Sequence, residues 1–98
     1  MTESFKEALN KYFGQLDLFT SAITRAHGKN HPEAFEVREL FSKIKEKTQA
    51  AGIASPNLDT EFSKLREVTN QYAVPDDVCE TYAAVYNMLS EIDRAYQA

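Results

Sequence analysis

Residues 5–23 read Phe-Lys-Glu-Ala-Leu-Asn-Lys-Tyr-Phe-Gly-Gln-Leu-Asp-Leu-Phe-Thr-Ser-Ala-Ile, and the spacing of their apolar side chains decides the fold class. Phe5, Leu9, Tyr12, Phe13, Leu16, Phe19 and Ile23 recur at steps of three and four, which puts them on one stripe of a helix. Gly14 costs such a helix about 1 kcal/mol relative to alanine. The stripe nevertheless continues beyond it, and the spacing predicts a first helix over 2–26.

The same period returns three times downstream. Gly28-Lys29-Asn30 reads as a turn, with a permissive backbone position followed by a capping side chain. Pro32 suits the first turn of a second helix, whose stripe is Val37, Leu40, Phe41 and Ile44 and which should fade by Ala51, before Gly52. Ser55-Pro56 predicts a cap and first position for a third helix carrying Leu58, Phe62, Leu65, Val68 and Tyr72. After Pro75, Asp77 with Glu80 three residues on has the form of a capping box. It would open a fourth helix carrying Val78, Tyr82, Val85, Leu89, Ile92 and Tyr96. No β-alternating segment competes with any of these. Four amphipathic helices with short links bury their stripes most simply as an antiparallel four-helix bundle, so the expected class is all-α with residues 1–98 as one domain.

Composition narrows the function. The 98 residues are 43% hydrophobic and 27% charged, a globular and not a disordered balance. A chain this long buries roughly 65% of its unfolded surface, enough for one modest core. The net charge of -4 argues against a nucleic-acid surface, which needs clustered cations. No apolar run approaches the roughly 20 residues that span a bilayer. The acidic start, Met-Thr-Glu-Ser-Phe-Lys-Glu, lacks the cationic and apolar regions of a secretory signal. A single cysteine cannot form an internal disulfide. A cytoplasmic location is the expectation, with neither nucleic acid nor membrane as partner.

Helical bundles often hold metals, so the donor inventory matters. A di-iron carboxylate site takes Glu from two helices and a Glu-x-x-His pair from each of the others. Here the histidines are His27 and His31, both at the first turn and neither preceded by Glu at the right spacing. They could hold a metal with Glu33 or Glu36, but the ordinary role for isolated histidines is that one anchors the turn while the other faces water. Cys79 falls at the start of the fourth helix, where thiolates are favoured. Asp76, Asp77 and Glu80 surround it with negative charge, and a small buried packing residue is the expected role. No nucleophile–base–orienter set is expected around it, because the histidines lie some fifty positions upstream. The aromatic residues fall mostly on the stripes and read as core. Among them Tyr72, Tyr82, Tyr86 and Tyr96 should seek hydrogen-bond partners when buried. Lys43–Lys47 alternates Lys and Glu around Ile44, as a solvated face with helix-stabilising pairs would.

Two stretches carry a resemblance. One is Ala26-His27-Gly28-Lys29-Asn30-His31-Pro32-Glu33, followed by Val37-Arg38-Glu39-Leu40-Phe41. The other is Leu65-Arg66-Glu67-Val68-Thr69-Asn70-Gln71-Tyr72, continuing through Pro75, Cys79, Thr81, Tyr82 and Tyr86. Together they resemble the hemerythrin-like iron–sulfur cluster repair di-iron proteins, in which a Thr-Asn-Asn-Tyr turn precedes Pro, Cys-x-Thr and a Tyr-bearing helix. The match covers roughly residues 20–93 with a deletion, and Gln71 replaces the family's second Asn. The resemblance implies a hemerythrin-like scaffold, but the family's ligand segments have no counterparts. Thr48-Gln49-Ala50-Ala51-Gly52 stands where the family carries His-Met-x-x-Glu-Glu. Ser55-Pro56-Asn57-Leu58-Asp59 stands in place of a His-bearing acidic motif. Asp93-Arg94-Ala95-Tyr96-Gln97-Ala98 stands in place of His-x-His-x-x-x-Glu. The early helix has no histidine, and the two-cysteine N-terminal module is absent. His27 and His31 match the family's turn motif, which is taken as structural.

These readings lead to a degenerate, non-enzymatic relative of the repair proteins, with no catalytic residues, no cofactor and no metal. It would act by self-association or by contact with a larger protein. The alternative is an iron–sulfur repair or iron-stress protein that binds metal at an intermolecular site built from His27 and His31 of two chains. A third class, a small-ligand binder, requires a cavity of a few hundred cubic ångströms.

Overall fold

The computed structural model describes residues 4–52 and 54–98. Four helices follow one another, α1 (Phe5–His27), α2 (Glu33–Ala51), α3 (Asp59–Val68) and α4 (Glu80–Gln97), with no strand among the described residues. None of the helices is long and apolar enough to cross a membrane. Helix α1 has 23 residues, about 35 Å at 1.5 Å per residue. It therefore runs nearly the full 38 Å of the longest dimension and supplies the wall on which the others pack. It meets α4 most extensively, then α2, and α2 in turn carries α3.

Each stripe turns inward as its spacing requires. Leu9, Leu16 and Ile23 of α1, Val37, Phe41 and Ile44 of α2, Phe62 and Leu65 of α3, and Tyr82, Val85, Leu89 and Ile92 of α4 are all buried in one core. Phe5 packs edge-on against both Phe62 and Tyr96, and Tyr12 donates its hydroxyl to Glu91. At the other end of α1, His27 stacks edge-on against Tyr82. Helix α1 thus meets the end of α4 with its own beginning, and the start of α4 with its own end.

The helix ends depart from the sequence reading in instructive ways. The expected start of α1 at residues 2 and 3 lies outside the described residues; the cap is Ser4, whose hydroxyl accepts from the Glu7 amide at 3.1 Å. Gly28 adopts an ordinary right-handed conformation, φ -57°, so it is not there for backbone freedom. A Cβ at that position would run into the Thr24 carbonyl and the Phe35 ring; glycine is needed for space. No side chain caps α2, where Pro32 precedes the first helical residue. Helix α3 begins at Asp59, later than Ser55-Pro56 predicts, because Leu58 is fully buried and its amide is taken by the Tyr96 hydroxyl at 2.7 Å. It also ends before Tyr72. Asn70, Gln71 and Tyr72 have φ of 52°, 60° and 61°, a left-handed turn that no helical stripe could continue through.

Asp77 does not cap α4. The helix begins at Glu80 with Cys79 in the cap position and no side-chain cap bond, and the Asp77 carboxylate is drawn to His31 instead. Nor do the lysines of Lys43–Lys47 pair only along their own helix. Lys43 meets Glu39 at 3.5 Å one turn away, but Lys45 reaches Asp17 of α1 at 4.0 Å and Lys47 reaches Glu61 of α3 at 2.7 Å. Helix α2 is central, so its flanks face other helices.

Candidate functional site

Polar chemistry concentrates where the α1–α2 turn meets the start of α4. His27 closes α1, His31 stands in the turn and Glu33 opens α2. Across from them lie Asp77 and Cys79 from the segment before α4, and Tyr82 and Tyr86 from its first turns. His31 is clamped between two carboxylates, with Nδ1 2.7 Å from Glu33 and Nε2 2.9 Å from Asp77. A neutral imidazole has only one N–H and cannot donate to both. The bond to Glu33, supported by Asp77, therefore outweighs the cost of desolvation and raises the His31 pKa above its usual 6.5. Both of its ring nitrogens are engaged, and His31 anchors the turn as the sequence reading expects.

His27 does not simply face water. Its ring is half-buried, edge-on to Tyr82 at 5.4 Å between centroids and 6.5 Å from His31. Its Nε2 lies 3.3 Å from the Cys79 sulfur. Two expectations are corrected here. Cys79 is exposed and not a buried packing residue, because the helix starts one residue after it and its side chain points away from the core. A thiol–imidazole pair also exists, because α1 and α4 bring together residues 52 positions apart in sequence. Behind the pair, the Tyr82 hydroxyl lies 3.3 Å from that of Tyr86 and 3.4 Å from Glu33. Burial, with the neighbouring phenol and Glu33 acting the same way, pushes the Tyr82 pKa far up, so the group stays a neutral donor. Among the described residues, no group of three or more His, Cys, Asp and Glu side chains is arranged to hold a metal ion.

A second polar centre pins the left-handed turn after α3. Asp93 of α4 is 4% exposed and accepts from Arg66 Nε at 2.9 Å, Tyr72 Oη at 2.7 Å and Gln97 Nε2 at 3.2 Å. The turn is closed locally by the Thr69 hydroxyl, which accepts from the Tyr72 amide at 2.9 Å, and by the Gln71 amide donating to the Arg66 carbonyl at 2.8 Å. Left-handed backbone costs a non-glycine residue about 1–2 kcal/mol, so three in succession persist only because these bonds hold them. Asp93 carries no periodic or motif signal in the sequence, and its importance emerges only from the crossing of α3 and α4. The four tyrosines all find partners: Tyr72 on Asp93, Tyr82 and Tyr86 on each other, and Tyr96 on Asp59 at 2.9 Å.

The first centre draws on both stretches that carry the resemblance, and the second takes Arg66, Thr69 and Tyr72 from the latter stretch and Asp93 and Gln97 from outside both. The chain is similar to the iron–sulfur cluster repair protein ScdA of Staphylococcus haemolyticus (strain JCSC1435), 20% identical over 121 aligned positions. That alignment covers 92% of this chain and 54% of the relative. The relation is distant. The chain spans about half the length of the curated relative it matches, and the alignment is longer than the chain itself, so the relative carries segments with no counterpart here. No protein-family model matches the chain, and no solved structure does.

Proposed function

We propose that this chain is a non-enzymatic relative of the iron–sulfur cluster repair proteins: an antiparallel, hemerythrin-like four-helix bundle without the di-iron site, acting in the cytoplasm through protein–protein contact. The observation that carries the proposal is the clamped state of His31. His31, in a stretch that resembles the repair family, spends both ring nitrogens on Glu33 and Asp77 and so serves as a tie between the α1–α2 turn and the start of α4. That no group of three or more His, Cys, Asp and Glu side chains among the described residues is arranged to hold a metal ion supports this reading. The bundle reading draws support from Phe5 with Tyr96, Tyr12 with Glu91 and His27 with Tyr82, pairs that run in opposite order along α1 and α4. Contact with another protein is favoured by Leu18 and Phe35, large apolar side chains 64% and 57% exposed.

Sedimentation of the untagged chain, alone and mixed with a full-length repair protein, tests the contact role. Self-association at micromolar concentration, or a joint boundary with the repair protein, is expected. A monomer that ignores the repair protein contradicts it. Iron bound at one equivalent per two chains, lost in the His27→Ala variant, would instead support the intermolecular His27/His31 site.

A further inference from the structure

An open groove of about 620 Å³ lies between the first half of α1 and the last half of α2. This is within the size range of small-molecule sites. Half-buried Phe13 gives it an apolar patch, with the core residue Leu9 beneath, and Lys6 and Lys45 also line it. None of its described lining residues is acidic, although the whole chain carries -4. The groove is thus a local reversal of the protein's sign, which would draw an anion against the overall field. Both ammonium groups keep donors to spare. Lys6 spends one of its three on the Gly52 carbonyl at 2.8 Å. Lys45 rests 4.8 Å above the Phe13 ring, with Asp17 at the 4.0 Å limit of an ion pair.

Gly14 helps to keep the groove open. It is the one glycine inside a described helix, it lies in the groove wall, and a Cβ there would meet nothing within 4 Å. Nothing in the packing asks for glycine at this position, and helix propensity argues against it. A larger side chain would stand in the open space.

From these observations we propose that the α1–α2 groove binds a small amphipathic organic anion, an acidic head on an unbranched apolar body, with the body on Phe13 and the head between Lys6 and Lys45. The site lies about 20 Å along α1 from His27 and is independent of the contact role proposed above.

The probe is decanoate, titrated into the isotopically labelled chain and followed by amide shifts, with acetate and decanol as controls. Saturable one-to-one binding is expected, with shifts centred on residues 6–14 and 45–52. Affinity should fall at least tenfold for acetate, which lacks the body, and for decanol, which lacks the charge. Gly14→Leu fills the groove with a better helix former and should reduce decanoate affinity at least tenfold with no loss of thermal stability. Lys45→Met should do so by removing one cation. Failure of decanoate to saturate, equal affinity for decanol, or full binding by Gly14→Leu would each overturn the proposal.

Discussion

At the scale of single residues, four positions separate what a side chain is from what its surroundings require. Gly28 and Gly14 look alike in the sequence, each a glycine at or near a helix, but only one is confined. Gly28→Ala drives a methyl against Thr24 and Phe35 and should cost about 2 kcal/mol by overpacking. Gly14→Ala meets empty space and should gain about 1 kcal/mol. Urea unfolding with unchanged slopes would establish both signs. Gln71 is exposed in the left-handed turn, so Gln71→Gly should relieve strain and stabilise by about 1 kcal/mol. Asp93→Ala strips the acceptor from Arg66, Tyr72 and Gln97 at a buried site and should cost about 3 kcal/mol, with the turn after α3 losing hydrogen-exchange protection first.

Among the elements, ion pairs fix how helices sit, and two of them titrate in opposite senses. His31 ties the α1–α2 turn to the segment before α4, and its folded-state pKa lies above 6.5, through Glu33 first and then Asp77. Its contribution is fully present below pH 6.5 and is lost as pH rises through the raised value. The stability difference between the parent and His31→Gln should therefore be largest near pH 5.5 and shrink towards pH 9 in denaturant titrations across that range. Glu61 behaves in reverse. Burial pushes its carboxyl up, but Lys47 at 2.7 Å and its own backbone amide outweigh burial, and its pKa falls below 4.5. This contribution holds above pH 4.5 and is lost as pH falls through the lowered value. Lys47→Met leaves the buried Glu61 carboxylate without its cation. It should cost about 2 kcal/mol at neutral pH, between the values for exposed and buried pairs, and move acid unfolding to higher pH.

The stripes of α1, α2 and α4 are readable because a core-facing helix imposes its period on the sequence whatever it packs against. The limits of α3 are not readable. Leu58 and Tyr72 fit its period, yet both are claimed by α4, one through the Tyr96 hydroxyl and the other through Asp93. Ser4 with Glu7 three residues on does carry a cap signal in the sequence. At the candidate site, His31 and its carboxylate neighbour Glu33 are local and legible. Asp77 reads as a cap and Cys79 as a core residue, because nothing in a linear sequence says that α4 starts beside the end of α1.

For the molecule as a whole, the proposed reading is a scaffold held by side-chain ties and not by metal. Its two polar centres are tied by side-chain bonds, while Glu61, paired with Lys47 of α2, keeps its second carboxylate oxygen buried without a partner. Iron content, measured on the chain purified without a tag from iron-replete cells, tests this most directly. The account predicts below about a tenth of an equivalent per chain and an unfolding transition indifferent to chelator. One or two tightly held irons per chain, with stability lost on their removal, would contradict it.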